Sequence, residues 1–512
     1  MKLFELNSTI SVHLGNSKLA PFQNGQVYLS VIPLAVLNAG QQQRGEHGLA
    51  ATGRAKTYIV EYATENVTTL GSLADIKVVK GFSSDIFTGA VVETAGLSLN
   101  DLKGLPGVVN VWPNDQVNPK PSAQEQNCKI RAERPRDFGH NITGVSKLHE
   151  RGIFGKGVKI GVVDTGIWYK HDALGGGFGK GFKVAGGYDF VGNGGWPSAG
   201  HEKQPGGDPL DLLGYGTSVA GIIAGKTNDF LGVAPDATLY AYKVMGSQGS
   251  TQTSTLIEAF LAAYNDGVDI ITASIGAPSG WAEEAWAVVA SRMVNKGIVV
   301  TTSAGNLGFD GPFGMKTAAS GKNVLAVAMA NTPSADGTRA SSITSWGLLN
   351  DLGLKPDVAA PGDSVNTTAL DNGWVVTGGT SMSCPYVAGI AALYIGEFGG
   401  RHVHGDRFAL DLSRRIVSTA RRLAYHDSEY ADLAAPVAQV GNGLVDAVKL
   451  FDSTTALEFE PIALNDTRHF NGRHEIIVKN FAPVDVRYHL SSQDAYGVDT
   501  LQLNCTDGSK TV

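Results

Sequence analysis

The chain has 512 residues, 43% of them apolar and 17% charged, with a formal net charge of −7. That length accommodates one large domain with smaller ones beside it, and the apolar share supports an extensive buried core. The acidic balance, with no basic stripe to neutralise phosphates, argues against nucleic acid. No run approaches the roughly 20 apolar residues of a membrane helix, and three cysteines, Cys128, Cys384 and Cys505, make no disulfide framework.

Residues 1–54 read as a leader. Glu5 interrupts the first 22 residues, and the better apolar run at 27–37 comes late for a signal peptide, so it is either a displaced one or ordinary leader. Between 55 and 118, alternating patterns predict strands at 58–62, 89–93 and 107–112 around a short helix at 97–105. A Pro- and Gln-rich linker covers 119–139. From 140 to 452, strands are predicted at 158–163, 238–244, 268–273, 297–302 and 323–328. Helices are predicted at 217–224, 253–264, 282–295 and 386–395. Near-continuous apolar strands separated by helices mean an α/β domain of three layers, with a central, mostly parallel sheet covered on both faces. Such sheets bind ligands beyond the carboxyl ends of their strands. After 453, strand patterns at 475–480 and 484–490 suggest a partial β-sandwich, cut off at Val512.

Glycine is frequent, with 65 residues spread through loops rather than repeated, which implies many tight turns. Six Asn-x-Ser/Thr acceptors, at Asn7, Asn66, Asn141, Asn366, Asn465 and Asn504, favour a secretory route. Cys384 reads as a small buried side chain. His402-Val403-His404 reads as a surface loop rather than a metal site.

Three segments carry chemistry. The first is Val162-Val163-Asp164-Thr165-Gly166, the second Gly214-Tyr215-Gly216-Thr217-Ser218-Val219-Ala220-Gly221, and the third Gly379-Thr380-Ser381-Met382-Ser383-Cys384-Pro385. Asp164 and Asn306 fall just past predicted strands, where the parallel-sheet rule puts functional groups. Taken alone, Ser381 is an N-cap and Asn306 a turn former. A single Asp-Thr-Gly does not supply the paired carboxylates of an aspartic protease. No Gly follows Ser381 at the second position, so this is not the elbow of an α/β-hydrolase.

Together these segments resemble the subtilisin-like serine proteases, in that family's chain order of Asp, His and Ser. The resemblance extends to Thr302-Ser303-Ala304-Gly305-Asn306, Ser345-Trp346-Gly347 and Lys355-Pro356-Asp357-Val358. It implies that Asp164 orients the base, Ser381 is the nucleophile and Asn306 is the oxyanion donor. Ser274-Ile275-Gly276 would pair with substrate by strand addition. It also implies that 55–118 is an inhibitor-like pro-domain seated in the cleft, that 140–452 is the peptidase domain, and that 453–512 opens a fibronectin-like domain. The implied ligand is a polypeptide and the implied form a secreted monomer. No cofactor is implied, and no ligand set for structural calcium is legible.

The resemblance fails at one mechanistic position. Where the family motif carries its general base, His, this chain has Tyr215, and the motif's second His is Ser218. The family's frequent Pro-His after the nucleophile is Pro385-Tyr386, a packing change. A phenol of pKa about 10 does not accept the serine proton at neutral pH as an imidazole of pKa about 6.5 does. The sequence therefore predicts a family member with strongly impaired hydrolysis, or a peptide-binding pseudoprotease. The competing reading is an active protease using another base, such as His171, His201 or a histidine of the substrate; a gene product without a selected role is a third.

Overall fold

A computed structural model describes residues 6–14, 26–28, 56–63, 75–118, 130–131, 139–334, 337–460, 473–491 and 503–504. The large domain is built on an eight-stranded sheet. Its order is Val184–Asp189, Thr238–Lys243, Lys159–Asp164, Ile270–Ala273, Val299–Ser303, Leu325–Ser334 and Gly337–Ala340, with Val358–Pro361 also paired to Leu325–Ser334. Every pairing is parallel except that of Leu325–Ser334 with Gly337–Ala340. This is the expected α/β architecture. The central strands are buried along their whole length, as a sheet covered on both faces requires.

The helices Tyr215–Ala224 and Thr380–Phe398 pack on each other, and the second runs beneath four strands of the sheet. The helices Thr253–Asn265 and Ala285–Asn295 pair on the other side. Glycines let these helices approach their other neighbours closely: a Cβ on Gly221 would lie 2.2 Å from Thr368 Oγ1 on the strand Val365–Thr368, and one on Gly389 would lie 2.5 Å from Val233 Cβ.

Two helix starts differ from expectation. The helices begin at Tyr215 and Thr380, not at 217 and 386. Neither has a side-chain cap; each follows a glycine at positive φ, Gly214 at 93° and Gly379 at 132°. Pro385 suggests a helix's first turn, yet it sits inside the second helix and leaves the Ser381 carbonyl without its usual donor. Ser274 Oγ takes that carbonyl at 2.8 Å, so a side chain beyond the helix replaces the missing N–H.

Residues 56–113 form a separate antiparallel sheet of order Lys77–Phe82, Gly89–Thr94, Lys56–Tyr62 and Val108–Pro113. Its helix, Leu99–Lys103, opens on a capping box between Ser98 and Asp101. Strand alternation divides the apolar side chains. Tyr58, Val60, Val92, Leu102 and Val111 form the unit's own core. Ile59, Phe82, Phe87 and Val91 join the core of the large domain. The interface carries Lys80–Glu258 at 2.6 Å, Lys296–Asp85 at 2.8 Å and Trp112 Nε1 donating to Glu283 O at 2.7 Å. Arg292 also pairs with the buried Glu61. Beyond it, Gln116–Val117 pairs antiparallel with Thr251–Gln252.

At the other end of the chain, the predicted strand at 484–490 is reduced to His489–Ser491, while Arg473–Asn480 is a full strand. The four-stranded sheet there takes Leu6–Leu14, part of the expected leader, beside Arg473–Asn480. Most of the apolar run at 27–37, the linker around Cys128 and the segment around Cys505 lie outside the described residues. Asn366 is 3% exposed on the strand Val365–Thr368, so that glycosylation acceptor is inaccessible in the folded chain.

Candidate active site

The parallel sheet delivers three segments to one edge. Asp164 ends the strand Lys159–Asp164, Ser274 follows Ile270–Ala273, and Asn306 lies just past Val299–Ser303. These strands are neighbours in register, with Ile270 opposite both Ile160 and Val299. Tyr215 and Ser381 start the two packed helices described above. The topology thus gathers Asp164, Tyr215, Ser274, Asn306 and Ser381, and the Ile275-Gly276 backbone follows Ser274 at the same edge.

Ser381 and Ser274 grip each other. Ser274 Oγ donates to Ser381 O at 2.8 Å, and Ser381 Oγ donates to Ser274 O at 3.3 Å. The Ser381 hydroxyl therefore rests on a backbone carbonyl. Its N–H belongs to a helical first turn, where donors lack intrahelical acceptors and the dipole favours negative charge. Asn306 is fixed by its oxygen: Oδ1 accepts from Thr380 N–H at 3.0 Å and from Thr380 Oγ1 at 2.8 Å. Gly305 N–H donates back to Thr380 Oγ1 at 3.2 Å. The amide is thereby oriented with Nδ2 as the end turned away from Thr380.

Asp164 is 3% exposed. Its Oδ1 accepts from Thr165 N–H at 2.8 Å. Burial pushes its pKa up to about 7, and the Asp211 carboxylate pushes the same way. The Thr165 N–H and hydroxyl and the Lys316 ammonium pull it down, without offsetting the desolvation. The helix carrying Tyr215 is keyed to this carboxyl group. Gly216 N–H donates to Thr165 Oγ1 at 2.9 Å, and a Cβ on Gly216 would lie 2.0 Å from Gly166 O and 3.1 Å from Asp164 Cβ. Tyr215 itself is 38% exposed and, with Leu213, Leu370, Trp374 and Met382, lines a cavity of about 430 Å³.

Asp211 was not singled out from the sequence. It is fully buried, and its two oxygens accept four hydrogen bonds, from Leu213 N–H, Gly214 N–H, Thr217 N–H and Thr217 Oγ1. It holds the turn that presents Tyr215. An Asp three residues before the motif gave no pattern to distinguish it from a loop residue.

Of the histidines offered as substitutes, His171 is engaged. His171 is 1% exposed; its Nδ1 accepts from Ala173 N–H at 3.1 Å and its Nε2 lies 2.9 Å from Gly373 O, so both nitrogens are committed. Burial lowers its pKa. His201 packs over Gly195. Rather than a loop, 401–404 is a short helix, Arg401–His404, with His404 Nε2 2.8 Å from Phe398 O. Among the described residues no group of three His, Cys, Asp or Glu side chains is placed to hold a metal, and no helix is long and apolar enough to cross a membrane.

The packing substitutions are satisfied. Ser218 Oγ donates to Gly214 O and Thr368 O at 3.1 and 3.0 Å. The Tyr386 hydroxyl sits 2.9 Å from His140 Nδ1 and 2.7 Å from Thr143 Oγ1. Cys384 is buried against Thr272 and Thr301, with its thiol pKa raised by burial.

Comparison with known proteins accords with this geometry. The model of the subtilase family matches residues 155–443. A thermostable alkaline protease of Halalkalibacterium halodurans is 32% identical over 348 residues, covering 67% of this chain and 82% of that protein. Subtilisin DY of Bacillus licheniformis is 33% identical over 296 residues, covering 57% and 93%. A subtilisin of Bacillus pumilus is 35% identical over 263 residues, covering 51% and 84%. With a family match across more than half its length and a sheet edge that gathers the three motif segments, the chain belongs to the subtilase family of serine proteases.

Proposed function

We propose that this chain is a subtilase that holds a polypeptide in its cleft but hydrolyses it weakly or not at all, because Tyr215 stands where the family's general base belongs. The observation that carries this reading is Tyr215 itself. It occupies the motif position of the base and opens the helix whose Gly216 N–H is bonded to Thr165, next to the buried Asp164. The raised pKa of Asp164 accords with it. A carboxyl group that orients and stabilises an imidazolium must be ionised. Here it is buried with its pKa near 7, a condition that fits a site without a cationic ring beside it. Ser381 lies in the first turn of a helix and Asn306 Oδ1 is held by Thr380, which supports reading them as the nucleophile and the oxyanion donor. In subtilisin, loss of the base lowers kcat by roughly 10⁶, and the oxyanion hole and binding leave about 10³ to 10⁴ over water.

The unit 55–118 is, in this reading, an inhibitor-like pro-domain that stays covalently attached, since self-cleavage needs the missing base. Its docking through Ile59, Phe82 and Phe87 and the pairing of Gln116–Val117 with Thr251–Gln252 support that role. The protein acts as a monomer on the secretory route, consistent with its acceptor sequons. A mature N-terminus near 130 in protein made without other proteases contradicts the attached pro-domain.

The test is hydrolysis of a histidine-free polypeptide by the full chain, with Ser381→Ala as control. The expected result is no difference between the two. Rapid hydrolysis by the wild type that Ser381→Ala abolishes overturns the proposal, and places the base elsewhere than in the substrate.

A further inference from the structure

One wall of the cavity at Tyr215 is the tip of a hairpin. Leu370, Asp371, Gly373 and Trp374 line it, at the turn between the strands Val365–Thr368 and Trp374–Thr377. Leu370 reaches the backbone that presents Tyr215: a Cβ on Gly214 would lie 3.5 Å from Leu370 Cγ. Ala369 N–H donates to Gly373 O at 2.8 Å and Gly373 N–H to Leu370 O at 3.0 Å. Asp371 and Asn372 between them have φ of 55° and 58°, the left-handed corners of a type I′ turn.

Two residues from another part of the chain hold this tip. Asp172 N–H donates to Asn372 Oδ1 at 2.9 Å, and Asn372 Nδ2 donates to Asp172 Oδ2 at 2.8 Å; both residues are exposed. His171, by contrast, is buried, and its ring meets that of Trp374 edge to face with centroids 5.2 Å apart. Its surroundings fix its tautomer. Nδ1 accepts from Ala173 N–H at 3.1 Å, so Nε2 carries the proton and donates to Gly373 O at 2.9 Å. One carbonyl thus closes the turn and anchors it to the ring.

We propose that His171 is an acid-sensitive latch on this hairpin, holding the cavity wall in place when neutral and releasing it when protonated. The device governs access to the cavity whether or not a bound peptide is cleaved. A proton on Nδ1 faces the Ala173 N–H, donor against donor, so the ring turns out and gives up Gly373 O. Burial opposes the cation and lowers the pKa of His171, while Gly373 O and Asp172 pull it up. The latched value lies below the ordinary 6.5 of a solvated ring. The latched wall is therefore favoured above that pH and is lost as pH falls below it. The charged groups on the elements packed here are Lys170 and Asp172 beside the ring in sequence, Asp371 on the hairpin, and Lys226 and Asp229 on the segment bonded to Ala173 through Lys226 N–H. The helix Tyr215–Ala224 adds only its phenol. Of these, the charge of Asp172 acts on the ring.

The test is hydrogen–deuterium exchange of the full chain, read by mass spectrometry over the hairpin and corrected for the intrinsic rate at each pH. In the wild type, exchange across 369–374 is expected to be at least about 10-fold faster at about pH 4.5 than at about pH 7.5. His171→Gln carries an amide donor near the Nε2 position that does not titrate, and is expected to show no such step. His171→Asn keeps an acceptor for Ala173 N–H but falls short of Gly373 O, and is expected to exchange fast at both pH values. Asn372→Gly suits the left-handed turn and removes the hold that acid leaves intact, so its step is expected to be larger than that of the wild type. No step in the wild type, or a step of equal size in His171→Gln, overturns the latch. If neither His171 variant folds, a step in Asn372→Gly no larger than that of the wild type overturns it.

Discussion

The two halves of the candidate site are in different condition. The Ser381–Asn306 half is a closed hydrogen-bonded set: Asn306 Oδ1 on Thr380, Gly305 on Thr380 and the reciprocal Ser274–Ser381 pair. The Asp164–Tyr215 half has the scaffold of a site, with Gly216 locked on Thr165 and Asp211 holding the turn, but its carboxyl group is buried and near neutrality. On the proposed reading, the difference teaches that a phenol in place of the catalytic ring leaves the backbone hydrogen bonds of the other half intact. The first half depends on backbone donors and on Asn306, none of which touches the base. The second depends on a charge balance that a phenol does not restore.

The sharpest way to break this comparison is to return the ring. Tyr215→His is expected to raise kcat by at least about 10³-fold over the wild type, the upper limit being the roughly 10⁶ that the base supplies. Steady-state hydrolysis of a peptide substrate reads it. Gly216 and Asp211 already fix the backbone the imidazole needs, so a failure would place the damage in the first half. Within that variant, Asn306→Ala is expected to lower kcat by 10² to 10³ with little change in KM, as for other oxyanion donors.

A smaller effect sharpens the second half. The Asp164 pKa is about 7 in the folded chain against 3.8 for an ordinary Asp. The folded state therefore holds its proton more tightly between those values, and the wild type loses stability as pH rises from about 4 to 7. Asp164→Asn carries no such charge. Its thermal midpoint is expected to match the wild type at pH 4 and to exceed it above pH 7 by a few kcal/mol of stability. Equal midpoints at both pH values contradict the raised pKa. The smallest expected effect is at the docking face: Lys80→Ala removes a half-exposed partner of Glu258 and should weaken attachment of the 56–113 unit by less than about 1 kcal/mol.

Much of this was legible in the sequence. The alternation of apolar strands and helices identified the parallel sheet, and the motifs identified the segments at its edge, because both signals are local. Helix starts were misplaced because Gly214 and Gly379 provide positive-φ entry rather than a side-chain cap, and because Pro385 normally marks a first turn. The strand Lys77–Phe82 was missed: most of its side chains are exposed, so it shows no apolar period. Asp211 and the hold of His171 on the hairpin escaped notice for a different reason. Their importance arises from bonds made only in the folded chain, as with His171 and Gly373, 202 residues apart, and no spacing encodes that.

The central claim is that Ser381 is in place but not activated. Labelling by a fluorophosphonate probe asks this directly, since only an activated serine reacts quickly. The full-length wild type is expected to label no faster than Ser381→Ala, and Tyr215→His to label at Ser381. Rapid labelling of the wild type at Ser381 contradicts the account.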